Sequence, residues 1–284
     1  MANQVAAYVT ERIIAQLQAG VVPWRRPWVS DPAINYVSRK AYRGINTLLL
    51  PEGGEYLTFK QATDLGGKIK KGSKSHMVVY YKILPAREAT ADREERRSLP
   101  LLRYYNVFAL ADTEGIPSKL VTTTHQPLAE AEAIVTGYAS GPTILQLHQD
   151  RASYSPALDR VVTPTINQFP EVDHFYGTLF HELLHSTGHK SRLDRFDGAD
   201  STIFASESYS KEELIAEIGA AILASRCGID RSTIQQSASY IGFWIGKLQD
   251  DLTLIVSAAG KAQRAVDWIT GAAQEQSAHD DLAA

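Results

Sequence analysis

At 284 residues, with 44% apolar and 9% aromatic side chains, the chain can bury the core of one large domain or two modest ones, so a folded protein is expected. No apolar run approaches the roughly 18 residues that a membrane helix needs. The opening MANQVAAYVTERIIAQLQAG mixes Glu, Arg and Gln into an amphipathic pattern that reads as a helix rather than a signal peptide's apolar block, so the cytoplasm is the expected compartment, with no membrane partner expected.

The net charge of −3 conceals an asymmetry. Residues 1–120 hold 18 Lys and Arg against 11 Asp and Glu, a net of +7, whereas residues 121–284 hold 11 against 21, a net of −10. Such a division is expected when one domain meets a polyanion and the other does not. The single cysteine, Cys227, has no partner for an internal disulfide and sits in the apolar stretch 220–228, so it reads as a structural thiol.

In chain order, Val5, Val9, Ile13, Ile14 and Leu17 form one stripe of a helix over residues 4–18, ended by Gly20 ahead of Pro23. After turns punctuated by Pro27, Pro32, Gly44 and Pro51, YLTFKQATDLGG reads as a strand and a short helix. KIKKGSKSHMVVYYKIL reads as a basic turn entering a strand, and LLRYYNVFAL as the strand that pairs with it. The charged segment between them, PAREATADREERRSLP, reads as a surface hairpin extension or a mobile loop. A linker over residues 112–127 coincides with the charge reversal and marks a domain boundary. Beyond it come a helix over 128–140, short strands near 143–147, 152–154 and 160–163, and then helices through HFYGTLFHELLHSTG, KEELIAEIGAAILASRCG, SASYIGFWIGKLQDDL and KAQRAVDWITGA. The expected class is α+β, in two domains, the second rich in helix.

The chemistry is carried by His181-Glu182-Leu183-Leu184-His185, set among Phe175, Leu179 and Phe180 in a pattern that suits a buried helix. Residues i and i+4 share a helix face, so two imidazoles can reach one metal ion, and Zn²⁺ takes neutral imidazole while keeping a position open to water. Glu182 follows the first histidine, where its carboxylate can act as general base toward that water without binding the ion. Zn²⁺ is the expected ion, although an open site of two histidines and a carboxylate also accepts Mn²⁺, Co²⁺ or Ni²⁺.

A third ligand is needed. His189 lies too close to the helix-ending Gly188, and the position where a later histidine would complete a three-histidine pattern is Ser191. The helix KEELIAEIGAAIL offers Glu213 and Glu217, four apart on a face with Ala216 and Ala220, whose small side chains permit a close helix approach. The arrangement resembles that of the gluzincin peptidases. That resemblance implies Glu213 as ligand and Glu217 as the acid that orients His181, with the reverse assignment kept open. Glu212 reads as an exposed acid of the helix's first turn.

Residues 24–82 hold 11 Lys and Arg against 4 Asp and Glu, interleaved with aromatic residues. Single-stranded nucleic acid asks for that mixture, because cations neutralise phosphates and flat rings stack on unpaired bases. The expected contacts are Trp24, Arg25, Arg26 and Trp28 in WRRPW, Arg39, Lys40, Tyr42 and Arg43 in SRKAYRG, and Lys68, Lys70, Lys71 and Lys74 in KIKKGSK.

Nearly the whole chain resembles the ArdC antirestriction proteins of conjugative plasmids. The resemblance is carried by VTERIIAQLQAGVVPWRRPW, RKAYRGIN and KIKKGSKSHMVVYYK, then ASYSPALDRVVTP, HELLHSTGHKSRLDR and EELIAEIGAAIL. It implies a single-stranded-DNA-binding domain over residues 1–120 and a zincin-like metallopeptidase domain over residues 128–284. The implied role is protection of incoming plasmid DNA from restriction in the recipient cell during conjugation. Three mechanisms follow from it: coating of the strand, cleavage of a host restriction enzyme or another DNA-associated protein, and recognition of such a partner without cleavage.

Overall fold

The computed structural model describes residues 2–25, 33–51, 53–84, 99–120, 127–169, 171–196, 207–229 and 238–272. The predicted extension between the paired strands, at residues 85–98, lies outside them.

The first domain begins with α1 (Ala2–Gln18), whose predicted stripe is the face that packs: Val9, Ile13 and Leu17 are fully buried. Gly20 closes the helix at φ 78°, a left-handed conformation that glycine adopts without strain. A four-stranded sheet follows, in the order β1 (Ala33–Asn35), β2 (Gly54–Leu57), β5 (Leu99–Ala109), β4 (His76–Leu84). β1 runs parallel to β2, and the other pairs are antiparallel. The short helices α2 (Asn46–Leu49) and α3 (Phe59–Asp64) connect these strands. A capping box starts α3: Thr58 Oγ1 accepts from Gln61 N at 3.2 Å, and Thr58 N donates to Gln61 Oε1 at 2.8 Å.

The predicted linker is partly built into this domain. β6 (Thr113–Glu114) pairs with β3 (Lys68–Ile69). Ser118 Oγ and Lys119 N then donate to the buried Glu55 carboxylate, at 2.8 and 3.0 Å, so the chain remains attached as far as residue 119.

The second domain opens with α4 (Pro127–Gly137) and a three-stranded sheet in the order β7 (Thr143–Leu147), β9 (Arg160–Pro164), β8 (Ser153–Ser155). Helices α5 (Val172–Ser186), α6 (Glu207–Arg226), α7 (Ala238–Asp250) and α8 (Leu254–Ile269) complete it. From Leu214 to Ala224 α6 is buried on nearly all sides, as its apolar run, interrupted only by Glu217, requires. It lies directly against α5: a Cβ added at Gly219 would sit 2.3 Å from Leu184 Cδ1, so only glycine permits this spacing.

One hydrophobic core runs through both domains, joining α1 and β4–β5 to α5, α6, α7 and α8. Trp24 belongs to it. Its ring is fully buried, edge-on to Trp244 at 5.8 Å, and its Nε1 donates to Tyr240 Oη at 3.1 Å. Polar contacts add to the junction. Thr10 Oγ1 donates to Leu252 O at 2.6 Å, Gly44 N donates to Gln263 Oε1 at 3.0 Å, and Arg43 pairs with Asp267. Cys227 is buried as expected, and burial pushes its thiol up to about 12, so it stays protonated.

Candidate metal centre

The close approach at Gly219 brings the polar end of α6 against the HExxH turn of α5. The Nε2 atoms of His181 and His185 lie 3.1 Å apart, and the Glu213 carboxylate lies 3.5 Å from the first and 3.4 Å from the second. A tetrahedral site with metal–ligand bonds of about 2.0–2.2 Å has ligand–ligand edges of about 3.3–3.6 Å. The three side chains come close to such spacings, with the two histidines meeting different oxygens of the Glu213 carboxylate, and among the described residues they form the group that could hold a metal ion.

Glu182 sits on the same turn, only 9% exposed, and its carboxylate makes no hydrogen bond or ion pair with another described residue. A carboxylate at that position of the motif is suited to act as a general base.

Electrostatics favour a cation here. Burial opposes a charge on His185, yet hydrogen bonds to Glu212 and Glu213 outweigh it and push the imidazole up to about 10. Glu213 is held below the usual carboxylate range by His181 and His185, against the opposing effect of its own burial. In the ion-free protein a proton on His185 thus meets part of the site's demand for positive charge.

Glu212 is where the sequence reading fails. It was expected to be exposed in a first turn, but α6 begins at Glu207, which carries Glu212 inward, where it is buried. Its Oε1 lies 3.5 Å from His185 Nδ1, on the ring edge away from the metal ligands. Arg195 clamps the same carboxylate through Nε at 3.0 Å and Nη2 at 2.6 Å. Arg195 is fixed in turn, donating to Leu184 O at 3.0 Å and Thr187 Oγ1 at 2.7 Å. A carboxylate on the far nitrogen of a ligand histidine sets its tautomer and orientation. That role was expected of Glu217 toward His181. Glu217 is buried on α6, and Glu212 stands in that position toward the other ligand ring, His185.

The segment after α5 explains the rest of SRLDR. Buried Arg192 donates to Ser186 O at 2.7 Å and Ser140 O at 2.8 Å and pairs with Asp159, tying the turn that leaves α5 to the β8–β9 hairpin. His189 bonds Ser191 Oγ at 2.7 Å and is not part of the metal group. Gly188 is needed for space, since a Cβ there would meet the Phe196 ring at 2.7 Å.

The expected DNA contacts fare unevenly. Arg26, Trp28 and the side chain of Arg25 lie outside the described residues. Trp24 is a core residue, which removes it from the contact set. Arg39 is paired with Glu55 and Arg43 with Asp267, so neither carries a free charge. Tyr42 is half-buried, edge-on to Tyr56 at 6.2 Å, and burial raises its hydroxyl pKa. Lys40, Lys68, Lys70, Lys71 and Lys74 are exposed, Lys70 donating to Ala111 O at 2.7 Å. Exposed Tyr80, Tyr104 and Tyr105 on β4–β5 were not among the expected contacts. The adjacent pair Tyr104-Tyr105 was the available signal, because neighbours on a strand point to opposite faces and both rings are about half exposed.

Comparison with known proteins places this geometry. Residues 3–108 match the profile of the N-terminal domain of anti-restriction factor ArdC, and residues 129–261 match a zincin-like metallopeptidase profile. Crystal structures of the antirestriction ArdC protein from the R388 plasmid superimpose on the chain. The metal-free form gives a TM-score of 0.73 at 36% identity, covering 93% of this chain and 96% of that one. The Mn(II)-bound form gives 0.74 at 35% identity, covering 94% and 97%. The chain belongs to the ArdC family of antirestriction proteins. Its two-domain architecture, an ArdC N-terminal domain followed by a zincin-like domain, is the family's. An uncharacterized protein of Sinorhizobium fredii, y4eC, is 32% identical over 281 residues, covering 92% of this chain and 90% of that protein. The DNA primase TraC of Escherichia coli is 36% identical over 293 residues, and there this ArdC-family chain spans only 27% of the primase. No helix among the described residues is long and apolar enough to cross a membrane.

Proposed function

We propose that the chain binds single-stranded DNA through its first domain and protects incoming plasmid DNA from restriction during conjugation, with a second domain that is a metal-dependent peptidase. The observation that carries the peptidase reading is the grouping of His181, His185 and Glu213 beside a buried Glu182 that bonds no other described residue. Two imidazoles and a carboxylate suit Zn²⁺. Mn²⁺ is supported by the Mn(II)-bound ArdC structure. When bound, such an ion polarises a carbonyl and lowers the pKa of an attacking water. With an ion held there, Glu182 would serve as the general base for the attacking water and pass the proton to the departing amine. Glu212, gripped by Arg195, keeps His185 Nδ1–H engaged so that Nε2 faces the ion. The DNA reading is supported by the exposed lysines of the β3–β4 turn and by the family of the first domain.

Glu182→Gln tests how the domains divide the work. The variant keeps its metal and its affinity for an oligodeoxynucleotide and loses protection of transferred plasmid DNA. Full protection by Glu182→Gln would instead assign the activity to strand coating, with the metal domain as a scaffold or a recognition module.

A further inference from the structure

The exposed tyrosines of the first domain and a helix of the second face each other across a groove of about 940 Å³, a volume in the range of small-ligand sites. One wall is the β4–β5 pair. Tyr80 stands opposite Arg103 and Tyr105 opposite Val78, so Tyr80, Arg103 and Tyr105 share one face of the sheet. Tyr80 and Tyr105 are 48% and 47% exposed, and neither makes a hydrogen bond or a ring contact with a described residue. The other wall is α8, where Thr253, Val256, Ser257, Gly260 and Arg264 fall on successive turns of one face, opposite the buried stripe of Ile255, Ala259, Ala262 and Val266.

The chemistry of the walls selects an occupant. The lining includes Arg43 and Arg264 and no carboxylate, in a chain whose net charge is −3. Arg43 is neutralised by Asp267, but Arg264 is exposed and has no ion-pair or hydrogen-bond partner among the described residues, and the same holds for Arg103 on the sheet face beside the groove. Open tyrosine faces next to unpaired guanidinium groups fit a flat base joined to a phosphate. A peptide adding to the β4 edge is disfavoured, since both the N–H and the C=O of Val79 are already bonded to the Asn46 side chain, at 2.6 and 2.9 Å. Gly260 adds a separate observation. Glycine weakens a helix interior, and a Cβ here would meet nothing within 4 Å, so packing does not require it, and its absence leaves the groove open.

We infer that this groove holds an unpaired nucleotide of a single DNA strand, and that α8 of the peptidase-like domain is therefore half of the DNA site. The inference rests on the single-stranded-DNA reading proposed above and locates it. Anisotropy titrations of the full-length protein with a labelled oligodeoxythymidylate test it, using Tyr105→Ala, Arg264→Gln and Gly260→Gln, each with its melting temperature. Tyr105→Ala weakens binding roughly ten- to hundredfold through loss of base stacking. Arg264→Gln flattens the dependence of log affinity on log salt by about 0.7. Gly260→Gln, which replaces a helix-weakening residue, keeps or raises the melting temperature and still weakens binding by filling the groove. If the three variants bind like the wild type while charge reversal at Lys68, Lys71 and Lys74 weakens binding, the strand lies on the β3–β4 turn: the groove assignment is wrong and the DNA reading stands. If the wild type fails to bind the oligonucleotide at low salt, both fail. If Gly260→Gln impairs peptide cleavage and leaves DNA affinity unchanged, the groove belongs to a polypeptide, which also overturns the inference.

Discussion

Around Glu213 the polar groups form a chain of partners: Arg195 holds Glu212, Glu212 faces His185, and both histidines face Glu213, where two helices touch at Gly219. In the first domain several cations stand in solvent, as Lys68, Lys71 and Lys74 do, and others are neutralised by single acids, as Arg39 and Arg43 are. The difference is one of dielectric and geometry. A buried chain of partners fixes atoms to within tenths of an ångström, which metal coordination demands, whereas phosphates are met by charges that need only be near. Substitutions in the two regions should therefore differ sharply in magnitude.

The largest effect is expected at Arg195. Removing it leaves the buried Glu212 carboxylate without its bidentate partner, and losing one member of a buried pair costs about 3–5 kcal/mol. Arg39→Ala, at a guanidinium 40% exposed and facing a Glu55 that keeps Ser118 and Lys119 as donors, should cost about 1 kcal/mol or less. Urea midpoints for the two variants compare the regions directly, and equal shifts would break the contrast. Next is Glu212→Gln, which leaves the ligands in place but weakens the hold on His185. Metal affinity measured against a competing chelator should fall about 10- to 100-fold, with one ion still bound at saturation.

The pH response sharpens the same point. In the ion-free protein His185 holds a proton up to about pH 10, and an incoming ion must displace it. The sign follows: below that value each fall of one pH unit should lower apparent metal affinity by about tenfold, and the loss should level off above it. Calorimetric titrations in buffers of different ionisation enthalpy should show about one proton released per ion. The smallest effects belong to the solvent-facing lysines. Lys71→Gln should flatten the log–log salt slope by about 0.7, so that its loss of DNA affinity, roughly fivefold at 0.1 M salt, is greatest in low salt and fades as salt rises. A cooperative loss of all binding there would show that this region, too, is built like the metal site.

What was legible in the sequence divides along the same line. The α5 motif could be read because its chemistry lies within one helix, where a spacing of four residues guarantees a shared face. Ala216 and Ala220 signalled the close approach of α6 and so pointed to Glu213 or Glu217, between which the resemblance to the gluzincin peptidases chose Glu213. Glu212 was misjudged because its meaning depends on Arg195, 17 residues earlier, and on a helix that starts a turn sooner than the apolar pattern indicated. Trp24 was misjudged because a tryptophan between prolines and arginines reads alike whether it stacks on a base or packs on Trp244, and its partner is 220 residues away in the chain. The four-stranded sheet was legible as the β4–β5 pair and not as a whole, since the parallel contact between β1 and β2 joins strands of three and four residues across a connection of 18.

The central claim is that His181, His185 and Glu213 together hold one divalent ion. Elemental analysis of purified wild type beside Glu213→Ala and Glu217→Ala, after dialysis against a weak chelator, tests it most directly. One ion per chain is expected in the wild type and in Glu217→Ala, and close to none in Glu213→Ala. A full complement of metal in Glu213→Ala, or its loss from Glu217→Ala while Glu213→Ala retains it, would contradict the ligand set.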